Sequence, residues 1–194
     1  MDDKYLTLVN KYNPVPGDWL LRAEFTNGSS SLGKPYRIEK ETLFWFERLR
    51  DRLLEEGVQI EIDSAYRDSM HQRRLFSFYE AELGAEGAAR AVARPGHSEH
   101  ELGLAIDLSI VVNGRELKPP DEDRRKVIFM LVHRYLARYG FILRYPEGKE
   151  SVTGYLYEPW HIRYVGHMAA LEIWKKGMTL EEYLDKGKGG GDFE

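Results

Sequence analysis

Apolar side chains recur at helical spacing early in the chain: Leu43, Phe46, Leu49, Leu53 and Leu54 share one stripe, and Gly57 stops it. The period then changes to two, and Val58-Gln59-Ile60-Glu61-Ile62 predicts a strand. A second helix is predicted from Asp68 or Ser69, carrying Met70, Leu75, Phe76 and Tyr79 as far as Gly84. A short third helix over 85–92 is halted by Arg94-Pro95-Gly96. The stretch 103–110 predicts a strand and Asn113-Gly114 a turn. Residues 121–139 form the best helix, with acidic residues in the first turn, basic ones later and Gly140 as its stop. Strands over 141–145 and around 160–165 precede helices over 166–176 and 179–184. The first 36 residues are turn-rich (Asn13-Pro14-Val15-Pro16-Gly17-Asp18, Thr26-Asn27-Gly28-Ser29-Ser30-Ser31, Gly33-Lys34-Pro35) and are expected to wrap over the domain without long regular elements. The mixed order of elements, with an antiparallel turn at Asn113-Gly114, predicts a small single α+β domain over 1–186 and a flexible tail over 187–194.

Composition narrows the chemistry. The chain has 194 residues, 42% hydrophobic and 31% charged, with a formal charge of −4, so it lacks the basic excess of a nucleic-acid binder. The run Arg48-Leu49-Arg50-Asp51-Arg52 is answered by Glu55 and Glu56 and reads as a solvated helix face. Without cysteine there are no disulfides or thiolate ligands, so imidazole and carboxylate must hold any metal. Met1-Asp2-Asp3-Lys4-Tyr5 does not begin an export signal, and no apolar run reaches membrane-spanning length. The chain as given is therefore expected to act in the cytoplasm.

Two segments carry the candidate chemistry: Ser98-Glu99-His100-Glu101-Leu102-Gly103-Leu104-Ala105-Ile106-Asp107 and Glu158-Pro159-Trp160-His161. Alternation along 104–110 sends Leu104, Ile106, Leu108 and Ile110 to one face and Ala105, Asp107 and Ser109 to the other. His100 precedes Asp107 by seven residues, roughly 23 Å if extended at about 3.3 Å per residue, so both reach one ion only if the chain bends. Gly103 is the hinge that allows it. Glu158 and His161 would face opposite sides of a regular strand, but Pro159 disfavours one, and a kinked segment presents both to the same point. His100, Asp107 and His161 thus supply three ligands of an open zinc site. Glu158 takes a proton from the attacking water, and Arg67 stabilises the oxyanion. His71, His133 and His167 are expected to be structural, His97 lies near His100 without being assigned to the metal, and Trp160 is a wall.

This pattern resembles the VanY-type zinc D,D-carboxypeptidases and their VanX and VanXY relatives. Their signature, Ser-x-His-x-x-Gly-x-Ala-x-Asp followed by Glu-x-Trp-His, is met at Ser98, His100, Gly103, Ala105, Asp107, Glu158, Trp160 and His161. Tyr66-Arg67 with Gln72, the run Gly140-Phe141-Ile142-Leu143-Arg144-Tyr145-Pro146 and Leu8-Val9-Asn10-Lys11 extend the likeness. The resemblance implies a hedgehog/D,D-peptidase-like domain, a central antiparallel sheet flanked by helices, with one catalytic Zn2+. It implies His100, Asp107 and His161 as ligands, Glu158 as base and Arg67 as oxyanion partner. Ser98 and Gln72 would hold the substrate's terminal polar groups; Ser64 stands where some relatives have aspartate. The implied substrates are peptidoglycan precursor peptides ending in D-Ala, with the dipeptide D-Ala-D-Ala as a second candidate, which connects the chain to glycopeptide resistance or to wall recycling. The alternatives are an L,D-carboxypeptidase acting on tetrapeptides and a non-catalytic zinc-bearing module of the same fold.

Overall fold

The protein is described by a computed structural model over residues 3–118 and 122–188. A 3-10 turn (Asp3–Leu6) and the one-turn helix α1 (Trp19–Arg22) lead to a hairpin of β1 (Phe25–Ser29) and β2 (Pro35–Glu39). Helix α2 (Lys40–Glu55) follows, capped by the Glu39 carboxylate, which accepts from the Thr42 amide. Next come β3 (Gln59–Ser64), α3 (Ser69–Ala91), a 3-10 turn (Glu99–Leu102), β4 (Ala105–Val112) and β5 (Arg115–Glu116). Helix α4 (Glu122–Leu136) and a 3-10 turn (Ala137–Tyr139) precede β6 (Phe141–Leu143) and the single-turn α5 (Glu150–Thr153). Strand β7 (His161–Tyr164) then gives way to α6 (His167–Lys176) and α7 (Leu180–Lys188).

The main sheet is antiparallel, in the order β3-β4-β7-β6, with β5 paired to β4. Its strands alternate, and the alternation separates two environments. Ile60, Ile62, Ile106, Leu108, Ile110, Ile162 and Tyr164 join Phe46, Leu49 and Leu53 of α2 and Phe129, Val132 and Leu136 of α4 in the principal core. Intervening positions, including Glu61, Asp107, Ser109, His161 and Arg163, belong to the opposite, polar face. This is the expected α+β arrangement of one sheet flanked by helices.

Several elements differ from the sequence reading. The N-terminal segment contains the β1–β2 hairpin: Asn27-Gly28 lies within β1, and the turn falls between Ser29 and Pro35. Gly28 is a packing residue there, because a Cβ would come within 2.5 Å of the Tyr36 ring. The second and third predicted helices are one element broken at Gly84, where φ is 72° and ψ 171°. Strand β6 stops at Leu143, and α7 reaches Lys188, two residues into the expected tail; the rest of that tail lies outside the described residues. Residue 121, the predicted start of the best helix, also lies outside them. Asn113-Gly114 forms the β4–β5 turn, with φ of 51° and 73°.

The wrapping segment pins the turn that carries His100. Trp19, fully buried, packs with Val9, Leu102 and Leu104 and donates its indole N–H to the Leu102 carbonyl at 2.9 Å. Gly103 then reverses the chain at φ +70°, and a Cβ there would lie 2.5 Å from the Phe25 ring and 3.1 Å from the Glu39 nitrogen. Left-handed strain costs about 1–2 kcal/mol, and the flexible Phe25 ring can give way to part of the overpacking, which otherwise costs about 1–3 kcal/mol. Gly103→Ala is therefore expected to lower unfolding free energy by about 2–4 kcal/mol in urea titration; an unchanged midpoint would show that the bend tolerates a side chain.

Candidate metal centre

Register places the first two candidate ligands. Asp107 of β4 is paired with His161 of β7, and on its other side Ser64 of β3 follows a bulge between Ile62 and Ser64. Directly opposed residues share a face with Cβ atoms about 5 Å apart. Asp107 therefore sits mid-sheet, between a hydroxyl and an imidazole.

His100 arrives from outside the sheet, on the 3-10 turn that Gly103 terminates. Its Nδ1 lies 2.6 Å from the Ala65 carbonyl, which fixes that nitrogen as the N–H and leaves Nε2 with its lone pair facing Asp107 Oδ2 at 3.1 Å. His161 presents Nδ1 to Asp107 Oδ1 at 3.0 Å. One donor atom from each of the three residues lies within 4.8 Å of the others. Yet His100 Nε2 and Asp107 Oδ1 are buried without a hydrogen-bond partner among the described residues. Close approach without alignment is what donors converging on a common point give. Two imidazoles and one carboxylate, with no sulfur, fit a zinc site that keeps a coordination position open.

Glu158 reaches the same point through a tight turn. The His161 amide donates to the Glu158 carbonyl at 3.1 Å, with Pro159 second in the turn. The backbone thereby folds back, and Glu158 Oε2 comes within 3.5 Å of His161 Nδ1. Two further bonds hold the turn: the Glu158 amide donates to the Tyr145 carbonyl at 3.1 Å, and His133 Nε2 lies 2.8 Å from the Pro159 carbonyl. His133 is thus a structural brace from α4. Burial, reinforced by Asp107, lifts the Glu158 carboxyl to about 7, against the opposing pull of His161 and Arg67.

The arginine is held on three sides. Its Nε donates to Ser64 Oγ at 3.1 Å, Nη1 to Gln72 Oε1 at 3.0 Å and Nη2 to Asp107 Oδ2 at 2.9 Å. Donor capacity remains on both terminal nitrogens of Arg67. Gln72 is buried, and its amide nitrogen is committed to the Ala93 carbonyl at 2.7 Å, so Gln72 props the arginine and the 93 loop. Ser98 is also buried and accepts from the His100 amide at 3.4 Å.

All nine candidate residues line one cleft of about 450 Å³, together with His71, Tyr145 and Tyr155. His71, expected to be structural, is exposed on the cleft's lining. His97 lies outside it, its Nδ1 2.8 Å from the Asn10 carbonyl. The sequence reading passed over Glu99, Tyr145 and Tyr155. Tyr145 packs against His161 with ring centroids 4.8 Å apart, and Glu99 lies on the far edge of the same ring. For Glu99 the one signal was its place beside His100 and for Tyr145 its place inside the 140–146 run; Tyr155 had none.

The family model for VanY, D-alanyl-D-alanine carboxypeptidase, matches residues 35–167. YodJ of Bacillus subtilis (strain 168) is 38% identical over 192 residues, 96% of this chain and 69% of YodJ. The bifunctional D-Ala-D-Ala dipeptidase and carboxypeptidase VanXYC of Enterococcus gallinarum is 37% identical over 190 residues, 93% of each chain. Among solved structures, a VanY D,D-pentapeptidase in complex with Zn(II) superposes with a TM-score of 0.77 at 33% identity, covering 93% of this chain and 99% of that one. VanYB in complex with D-alanine-D-alanine gives 0.77 at 34%, covering 93% and 97%. The LD-carboxypeptidase LdcB also gives 0.77, at 36%, covering 96% and 89%.

Protonation of the metal-free centre sets how it takes an ion. Burial and Arg67 push His100 down to about 4, so it is neutral near pH 7. Burial opposes the charged form of His161, but Asp107 and Glu99 outweigh it and lift this ring to about 9. A metal must displace that proton. Zinc affinity of the stripped protein is therefore expected to fall about tenfold per pH unit below about pH 9, with one proton released per ion in calorimetry across buffers. Asp107→Asn and His100→Ala should each abolish stoichiometric uptake, and full occupancy in either would refute the ligand set.

Proposed function

The chain belongs to the VanY family of D-alanyl-D-alanine carboxypeptidases, and on that premise we propose that it is a zinc metallopeptidase removing the C-terminal D-alanine of peptidoglycan precursor peptides. The observation that carries this reading is the convergence of His100, Asp107 and His161 within 4.8 Å, with the Glu158 carboxylate 3.5 Å from His161. Zinc held by these three side chains would supply a Lewis acid and lower the pKa of a bound water toward roughly 7.

The protein's own groups account for the remaining steps. Glu158, unprotonated at Oε2, takes a proton from the water that adds to the scissile carbonyl carbon. Arg67, oriented by Ser64, Gln72 and Asp107, donates from its remaining N–H groups to the carbonyl oxygen as that oxygen gains charge. The C–N bond then breaks as Glu158 passes its proton to the nitrogen of the departing D-alanine. Tyr145, Tyr155 and Trp160 wall the cleft. Ser98, which lines the cleft, is assigned to the substrate's terminal carboxylate. No helix among the described residues is long and apolar enough to cross a membrane.

The likeness to LdcB favours one rival, removal of D-alanine from a tetrapeptide. Mass spectrometry of products from a pentapeptide ending in D-Ala-D-Ala, a tetrapeptide ending in a single D-Ala and the dipeptide, with and without chelator, separates the two. Cleavage of the pentapeptide abolished by chelator is expected; turnover of the tetrapeptide alone would replace the D,D assignment.

Two further outcomes follow from the residue roles. Glu158→Gln should keep one zinc per chain and lose about 10²–10⁴-fold in kcat; undiminished turnover would remove Glu158 as base. Activity requires the unprotonated carboxylate, so kcat/KM should decline as pH falls through an acid limb at or below about 7, a bound cation drawing the limb lower. A limb unchanged in residual Glu158→Gln activity would assign it to another group.

A further inference from the structure

His161 has two ring nitrogens, and only Nδ1 faces the ligand cluster. Its Nε2 faces Oε2 of Glu99 at 3.7 Å, and neither atom has a hydrogen-bond partner among the described residues. Both arginines beside this pair are committed. The Glu99 side chain has no exposure, and its Oε1 accepts from both Arg144 Nε and Arg163 Nη1, each at 2.7 Å. Arg144 is locked in turn by the fork of Glu181, at 2.9 and 2.7 Å. Arg163 is locked by the carbonyls of Tyr5, Thr7 and Tyr164 at 3.0, 2.9 and 3.0 Å.

The allocation of oxygens is the informative feature. A carboxylate serving only to neutralise two arginines would offer each of them an oxygen. Glu99 gives one oxygen to both and holds the other toward the imidazole. We propose that Glu99 is a positioning residue for the metal centre: its Oε2 accepts the Nε2–H of His161, fixing the ring so that the Nδ1 lone pair is directed at the ion. Shortening the 3.7 Å separation to a bond of about 3.0 Å takes a shift of roughly 0.7 Å. The two ligand histidines are then anchored by unlike acceptors, His100 by the Ala65 carbonyl and His161 by a carboxylate. An anionic acceptor raises the basicity of the ligating nitrogen and strengthens its hold on zinc. The inference rests on the zinc reading above and adds a residue to it.

The test is zinc affinity by chelator competition for wild type, Glu99→Gln, Glu99→Asp and Glu181→Gln, alongside thermal unfolding of each in excess chelator. Loss of such an outer partner typically weakens binding about 10- to 100-fold. Glu99→Gln and Glu99→Asp are expected to show that loss. Glu181→Gln disturbs the same arginine network without touching His161, and is expected to lower metal-free stability while leaving zinc affinity within about threefold. Equal affinities across all four proteins would overturn the proposal, as would parallel losses in the Glu99 and Glu181 variants. Nitrogen-15 NMR of the zinc-loaded wild type decides the matter even if the Glu99 variants fail to fold. Ligation of His161 through Nδ1 with a retained Nε2–H supports the proposal, and ligation through Nε2 ends it. A wild type that takes up no zinc would instead end the functional reading.

Discussion

A slip of one residue between β4 and β7 would turn Asp107 into the apolar layer and leave His161 facing a side chain of the wrong kind. Pairing of Asp107 with His161 is thus the constraint on which the centre depends. The core enforces it. Ile106 and Leu108 flank Asp107 in sequence, Ile162 follows His161, and all three are buried with α2 and α4 on the other side of the sheet. A slipped register would expose these groups and bury carboxylate and imidazole in their place. Each aliphatic side chain so exposed costs about 1.5–3 kcal/mol, so hydrophobic packing on one face holds the polar geometry of the other.

Behind the polar face lies a second constraint, made of charge. Arg144 and Arg163 are both without exposure, and ions are buried in this way only when paired and hydrogen-bonded. Together they hold the Glu99 carboxyl well below the usual range against the effect of burial. Such a network is a poor source of net stability, since apolar replacements of equal volume often do as well. What it does provide is direction. The guanidinium forks admit few arrangements, and they tie the 3-10 turn of His100 to the residue after β6, to β7 and to α7.

Much of this was legible in the residues, for identifiable reasons. Helix α2, the Asn113-Gly114 turn and the hinge at Gly103 each follow from local rules that tertiary contacts reinforce. The grouping of His100, Asp107 and His161 was legible because few residue types bind metal and cysteine was absent. Glu158 could be placed beside His161 only by supposing a kink, and the 3.1 Å backbone bond from His161 to Glu158 shows what the kink is. The β1–β2 hairpin was hidden because Asn27-Gly28 imitates a turn, whereas Gly28 is small to admit the Tyr36 ring. Gln72 looked like a substrate contact, yet both ends of its amide are engaged within the protein. Glu99 gave no signal of its own, because an acid beside histidine in a turn is ordinarily solvated. Its burial is a product of Arg144 and Arg163, and nothing local in the sequence announces that meeting.

The grip of Arg144 on Glu181 also makes the interior depend on contacts between distant segments. Glu99, Arg144 and Glu181 are separated by long intervals of chain, and the first residues, through the Tyr5 and Thr7 carbonyls, must wait for Arg163. Domains assemble as the polypeptide emerges, and contacts between distant segments form last. The α2–β3 unit rests on contacts close in sequence, whereas the fork on Arg144 needs residue 181. The buried network around Glu99 is therefore complete only once α7 is in place.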